Sequence, residues 1–138
     1  MSTPLLLTVI VLVLIAVIFV LSAINAKKQG LKRKDRLLAT LDRLKEHIVS
    51  DNEFERRDAV IRLDNLLAQS FNYKYGNSSS SGENLKKSSK LFRRDTYQNL
   101  WNVHKLRNDV VHNNRSISSE EAEKAYHIYK LCIKQILK

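Results

Sequence analysis

Twenty consecutive residues, Leu5 to Ile24, carry no charge and are broken only by Thr8 and Ser22 among Leu, Ile, Val, Ala and Phe. As a helix rising about 1.5 Å per residue the run covers roughly 30 Å, about one hydrocarbon thickness of a bilayer. It reads as a membrane-spanning anchor. A cleaved signal peptide fits less well: no basic residue precedes the run, and the run exceeds the roughly 7–15 apolar residues of a signal core. The small-residue cleavage pattern is also missing, because Leu21 lies before Ala23 and Ile24 before Ala26.

Lys27, Lys28, Lys32, Arg33 and Lys34 follow the run, while only the amino terminus can carry positive charge on its other side. The positive-inside rule then keeps the basic flank in the cytoplasm, with the N-terminus outside the inner (plasma) membrane. Each of these five side chains gains on the order of 1 kcal/mol near anionic lipid headgroups, so the membrane surface is itself an expected partner. The expected organisation is an anchor at 1–26, a basic juxtamembrane segment at 27–36 and one small cytoplasmic domain at 37–138.

Glycine (3) and proline (1) are scarce and strand-like alternation is hard to find, so the class expected is all-α. The chain holds one cysteine, Cys132, which rules out an intrachain disulfide and a cysteine-built zinc site. No metal ligand set, nucleotide phosphate loop or supported Ser or Cys nucleophile is visible, and no cofactor is expected. The net charge of +10 is spread over both halves: residues 27–50 carry eight basic and three acidic side chains, the remainder sixteen and eleven. Attraction to phosphates, in lipid headgroups or in RNA, follows from that excess.

Helical periodicity organises the rest. Leu37, Leu41, Leu44 and Ile48 form the apolar stripe of a first amphipathic helix that continues from the basic flank. Ser50, Asp51 and Asn52 mark its end and a new cap, and a second helix runs from about Asn52 to Asn72 with Val60, Leu63, Leu67 and Phe71 on one face. Residues 73–83, with four consecutive serines and two glycines, read as a mobile loop. A short helix from Glu83 to Arg94 would carry Lys86, Lys87, Lys90, Arg93 and Arg94, the expected phosphate-tracking face. Asp95 with Gln98 resembles a cap for a fourth element over 96–113, and Ser118 with Glu121 makes a capping box for the last helix.

Two charges break the apolar stripes. At about 100° per residue, Arg107 falls between Leu100 and Val103 on its helix, and Asp64 falls among Val60, Leu67 and Phe71 on the second. Burying either one alone costs several kcal/mol, so an Asp64–Arg107 ion pair across the two helices is expected. His104, Asn108 and His112 recur every four residues and form a polar ridge beside Arg107.

The stretch Leu100-Trp101-Asn102-Val103-His104-Lys105-Leu106-Arg107-Asn108-Asp109-Val110-Val111-His112 resembles the motif helix of the HEPN superfamily: Arg, a polar residue, then His a few positions on. The order of elements, a helical hairpin, a variable loop, a motif helix and a closing helix, also resembles that superfamily. The chain is identified by this likeness as a membrane-anchored bacterial member. The resemblance implies a HEPN-like four-helix bundle with one extra short helix. It also implies a site at Arg107, Asn108 and His112, with His104 and the basic cluster on phosphate, and pairing of two motif helices in a homodimer. In catalytic members such a site cleaves RNA without metal, the His moving a proton and the Arg offsetting phosphoryl charge. Others bind RNA or a protein partner without cutting. One departure is Asn114, which stands where the toxin branch often has Tyr.

Overall fold

The structure, a computed structural model, describes residues 2–138 and is all-helical, with no strand among the described residues. The elements are α1 (Thr3–Ile48), α2 (Glu53–Tyr75), α3 (Ser81–Lys87), a 3-10 turn (Ser89–Leu91), α4 (Arg94–His112) and α5 (Ser119–Ile136). They fall into two units, Met1–Arg33 and Lys34–Lys138.

The first unit is the N-terminal part of α1. An 18-residue window there has a mean hydropathy of 3.4 with no residue buried, so this helix is long and apolar enough to cross a membrane. Apolar side chains from Leu5 to Ile24 are fully displayed, Phe19 being 72% exposed. Lys27, Lys28, Lys32 and Arg33 lie on the same helix, also exposed. The basic flank expected at 27–36 is therefore helical, and the compact domain begins within it, at Lys34.

The second unit has one apolar core. Leu37, Leu41, Leu44 and Ile48 from the end of α1 join Leu63, Leu67 and Phe71 of α2, Leu100 and Val103 of α4, and Tyr129, Ile133 and Ile136 of α5. The alternating four- and three-residue spacing on α1 explains why a helix with charged neighbours buries only this stripe. Asn52 caps α2 by accepting from the Phe54 N–H at 2.9 Å, and Gly76 ends it in the left-handed region at φ 62°. That conformation costs an L side chain energy and glycine little. Ser118 and Glu121 form the expected capping box on α5. Cys132 is buried on α5, and burial pushes its thiol up to about 12, which keeps it protonated and inert.

Three local expectations need correction. Of the segment 73–83 read as a loop, residues 73–75 finish α2 and residues 81–83 open α3. The connection between them is held by an amide ladder, in which buried Asn84 donates to Asn72 and Asn77 at 3.0 Å and accepts from Asn77 at 2.8 Å. Ser80 and Glu83 make a complete capping box, so the short helix starts two residues early and stops at Lys87, well before Arg94. Asp95 does not cap α4. The cap is Arg93, which makes no side-chain hydrogen bond there, and Asp95 sits in the first turn, where a carboxylate favours the helix dipole.

Candidate functional site

Asp64 is the hub of the site, and its side chain is 3% exposed. A carboxylate at that depth needs donors, and three neutral-to-cationic neighbours supply them. Oδ1 lies 2.8 Å from His104 Nδ1 and accepts from Tyr129 OH at 3.0 Å, while Oδ2 accepts from Ser81 Oγ at 3.0 Å. Each donor comes from a different helix, so one α2 side chain ties α3, α4 and α5 together. Tyr129 also donates to the Val103 carbonyl at 3.2 Å. Burial, then the Asp64 charge, drives its phenol well above the usual tyrosine range and keeps the O–H a donor.

The expected Asp64–Arg107 pair is present as a looser contact. Arg107 Nε stands 3.7 Å from Asp64 Oδ2, an ion-pair distance, and Nε has no hydrogen-bond partner among the described residues. Arg107 Nη1 instead donates to Asn108 Oδ1 at 3.0 Å. Because a guanidinium only donates, that bond fixes which end of the Asn108 amide is oxygen. Asn108 Nδ2 then faces His104 Nε2 across a long 3.5 Å contact. The carboxylate favours a proton on Nδ1, and in the neutral ring Nε2 is then the acceptor nitrogen. Trp101 meets the imidazole edge-on, with centroids 5.9 Å apart, and limits its rotation.

These groups border a recess of about 380 Å³ lined by Asp64, Asn65 and Ala68 of α2, by Ser80, Ser81 and Gly82, and by His104, Arg107 and Asn108 of α4. The volume is in the range of small-ligand sites. Of the residues expected at a catalytic site, Arg107 and Asn108 line it. His112 does not: it is the exposed last residue of α4. His104, expected on a phosphate-tracking surface, is turned inward with 12% of its side chain exposed and serves Asp64. Lys86 and Lys87 at the end of α3, Lys90 in the 3-10 turn, and Arg93 and Arg94 at the start of α4 are exposed, as a solvent-facing basic surface requires.

Sequence reasoning missed four participants. Tyr129 sits on the last helix, for which the sequence signals only the cap, and Ser81 belongs to the serine tract. Their positions depend on helix heights that a wheel does not encode. The other two, Arg56 and Arg57, brace the site from behind. Arg57 donates to the Val110 carbonyl at 3.1 Å and to Asn114 Oδ1 at 2.7 Å, closing the C-terminal end of α4. Arg56 donates to the carbonyls of Ser50, Asp51 and Ile117. Asn114 accepts in a left-handed conformation at φ 49°, which asparagine tolerates better than most residues. Among the described residues no cluster of His, Cys, Asp and Glu is arranged to hold a metal. No protein-family model, curated protein or solved structure matches the chain.

Proposed function

We propose that the chain is a membrane-anchored, HEPN-like helical domain that binds single-stranded RNA at the recess of α2, α3 and α4. The observation that carries this reading is Arg107, a cation whose side chain is 23% exposed and lines a concave polar site beside Asn108 and His104. A phosphate oxygen is the acceptor such a group fits best. The exposed Lys86, Lys87, Lys90, Arg93 and Arg94 would follow the neighbouring backbone of the strand.

The test is fluorescence anisotropy with a labelled single-stranded RNA and the full chain in detergent. Arg107→Gln weakens binding about tenfold, the loss expected for one hydrogen bond to a charged group. Replacing Arg93 and Arg94 together by Gln lowers the slope of log affinity against log salt by about 1.4, or 0.7 per released contact. Equal affinity for Arg107→Gln and the parent chain would refute the recess as the binding site.

The first unit is read as the anchor, with its N-terminus outside and the helical domain in the cytoplasm beside anionic lipid. Membranes washed with alkaline carbonate retain the full chain, and a chain lacking residues 2–24 moves to the supernatant. Release of the full chain by the wash contradicts the anchor, because about twenty apolar residues across a bilayer resist that treatment.

A second reading is a metal-independent endoribonuclease that uses Arg107, Asn108 and His112. The exposure of His112 at the end of α4 favours it, since a free imidazole there can face a second copy of the chain. The composite site would then require a homodimer.

A further inference from the structure

We propose that the end of the helical bundle formed by α3, the 3-10 turn, the start of α4 and the end of α5 is a docking surface for anionic lipid headgroups. The inference goes beyond the reading of the recess and does not rest on it. Lys86, Lys87, Lys90, Arg93, Arg94 and Lys134 carry it, and all of them are exposed.

The first observation is how charge divides along the bundle. Arg56 and Arg57 of α2 donate to the carbonyls of Ile117 and Val110, so the α1–α2 turn and the α4–α5 loop share one end. Gln135 of α5 donates to the Leu91 carbonyl, and Asn84 of α3 donates to Asn72 of α2, so the remaining connections share the opposite end. The segments of the second unit on that side, 34–41, 65–99 and 130–138, hold eleven basic and three acidic side chains. The other half, 42–64 and 100–129, holds nine basic and eleven acidic ones. The positive excess of the domain therefore gathers at one end.

The second observation is what the cations do. In the acidic half five of the nine are occupied inside the fold: Arg62 pairs with Asp58, Arg115 with Glu121 and Arg107 with Asp64, and Arg56 and Arg57 serve backbone carbonyls. In the basic half the one ion pair among the described residues joins Arg93 to Asp95 at 3.8 Å, with both side chains largely in solvent. Cations without an internal anion repel one another, a cost that an external polyanion offsets.

The third observation is attachment. The chain enters the second unit at Lys34, in the basic half, and the apolar run ends at Ile24, ten residues earlier. A bilayer that holds the run is thereby tethered to this half of the domain, at an effective concentration that a free polyanion does not reach. The negative potential of a cytoplasmic leaflet attracts Lys and Arg within about a Debye length, roughly 8 Å at physiological salt. The same cations fit an RNA backbone, and the two polyanions cannot occupy them together.

The experiment places the full chain in nanodiscs of phosphatidylcholine alone or mixed with phosphatidylserine, each with a spin-labelled headgroup lipid as quencher. A fluorophore is attached at Ser89→Cys in the 3-10 turn or at Ser116→Cys in the α4–α5 loop, and the fully buried Cys132 stays unlabelled. On the anionic disc, quenching at Ser89→Cys is expected to rise about twofold or more over the neutral disc. It returns to the neutral value in about 1 M salt, where the Debye length shrinks to about 3 Å. Quenching at Ser116→Cys is the same on both discs. Replacing Lys86, Lys87 and Lys90 by Gln removes about half of the rise or more. Replacing Lys45, Lys105 and Lys124 by Gln, the same loss of charge in the acidic half, leaves the rise intact. All six lysines are exposed, and unchanged Trp101 emission checks that both variants stay folded. Equal quenching at Ser89→Cys on the two discs overturns the docking, as does an equal rise at Ser116→Cys. A probe at Ser89→Cys that ignores the lipid but responds to added single-stranded RNA assigns this end to nucleic acid and overturns the docking too. The lipid measurements contain no RNA, so their failure leaves the reading of the recess standing.

Discussion

Asp64→Ala is expected to lower the unfolding free energy by about 3–5 kcal/mol, more than any other polar substitution in the domain. The loss is larger than one ion pair because the carboxylate serves four groups. Without it Tyr129 OH keeps only the Val103 carbonyl, Ser81 Oγ and His104 Nδ1 lose their partner, and Arg107 loses the anion beside it. Each stranded buried donor costs about 1–3 kcal/mol, and relaxation recovers part of the sum. For a domain of this size the midpoint of thermal unfolding should fall roughly 15–30 °C. Trp101, the only tryptophan, lies against His104 and reports the transition by its fluorescence in urea or on heating. A fall under about 1 kcal/mol would mean that the hub is a weak solvated pair, outside the range of a buried charge network.

Phe71→Ala should destabilise by about 3–5 kcal/mol, whereas Phe54→Ala, the same chemical change on the same helix, should stay within about 0.5 kcal/mol. Phe71 is fully buried at 0% exposure and stacks on Tyr75 with centroids 5.9 Å apart and rings 7° from parallel. Removing the ring leaves a cavity in the apolar core. Phe54 is 74% exposed in the first turn of α2, so its truncation removes little buried surface. Denaturant midpoints of the two variants, read on the same tryptophan, give the comparison directly. Similar losses at both positions would contradict the placement of the apolar stripe of α2.

How much of this arrangement the sequence disclosed depends on which physical signal each part leaves. The stripes of α1 and α2 were legible because a helix repeats every 3.6 residues, and the buried Leu37, Leu41, Leu44 and Ile48 are those that periodicity selects. The inward charges on α2 and α4 were legible for the same reason, and Asp64 and Arg107 do meet, at 3.7 Å. The wheel gives azimuth on one helix but neither height nor side-chain reach. It therefore could not show that His104, one turn nearer the start of α4 than Arg107, takes the short bond to Asp64. The capping box of α3 was present in the sequence as Ser80 and Glu83, hidden by reading the serine tract as uniform. For Arg56 and Arg57 there was no signal at all, since their acceptors are mostly backbone carbonyls.

That last point bears on how the sequence can drift. A carbonyl is present whatever side chain its residue carries, so the tie made by Arg56 to residues 50, 51 and 117 places no demand on the identity of those three positions. The demand falls entirely on position 56, where only a forked, permanently charged donor reaches several oxygens at once. Substitution is thus free on one side of the bond and forbidden on the other. Asp51 can therefore change while the turn and the distant loop stay joined, whereas Ile117 is held by the core and Ser50 by the bond it accepts from the Asn52 N–H.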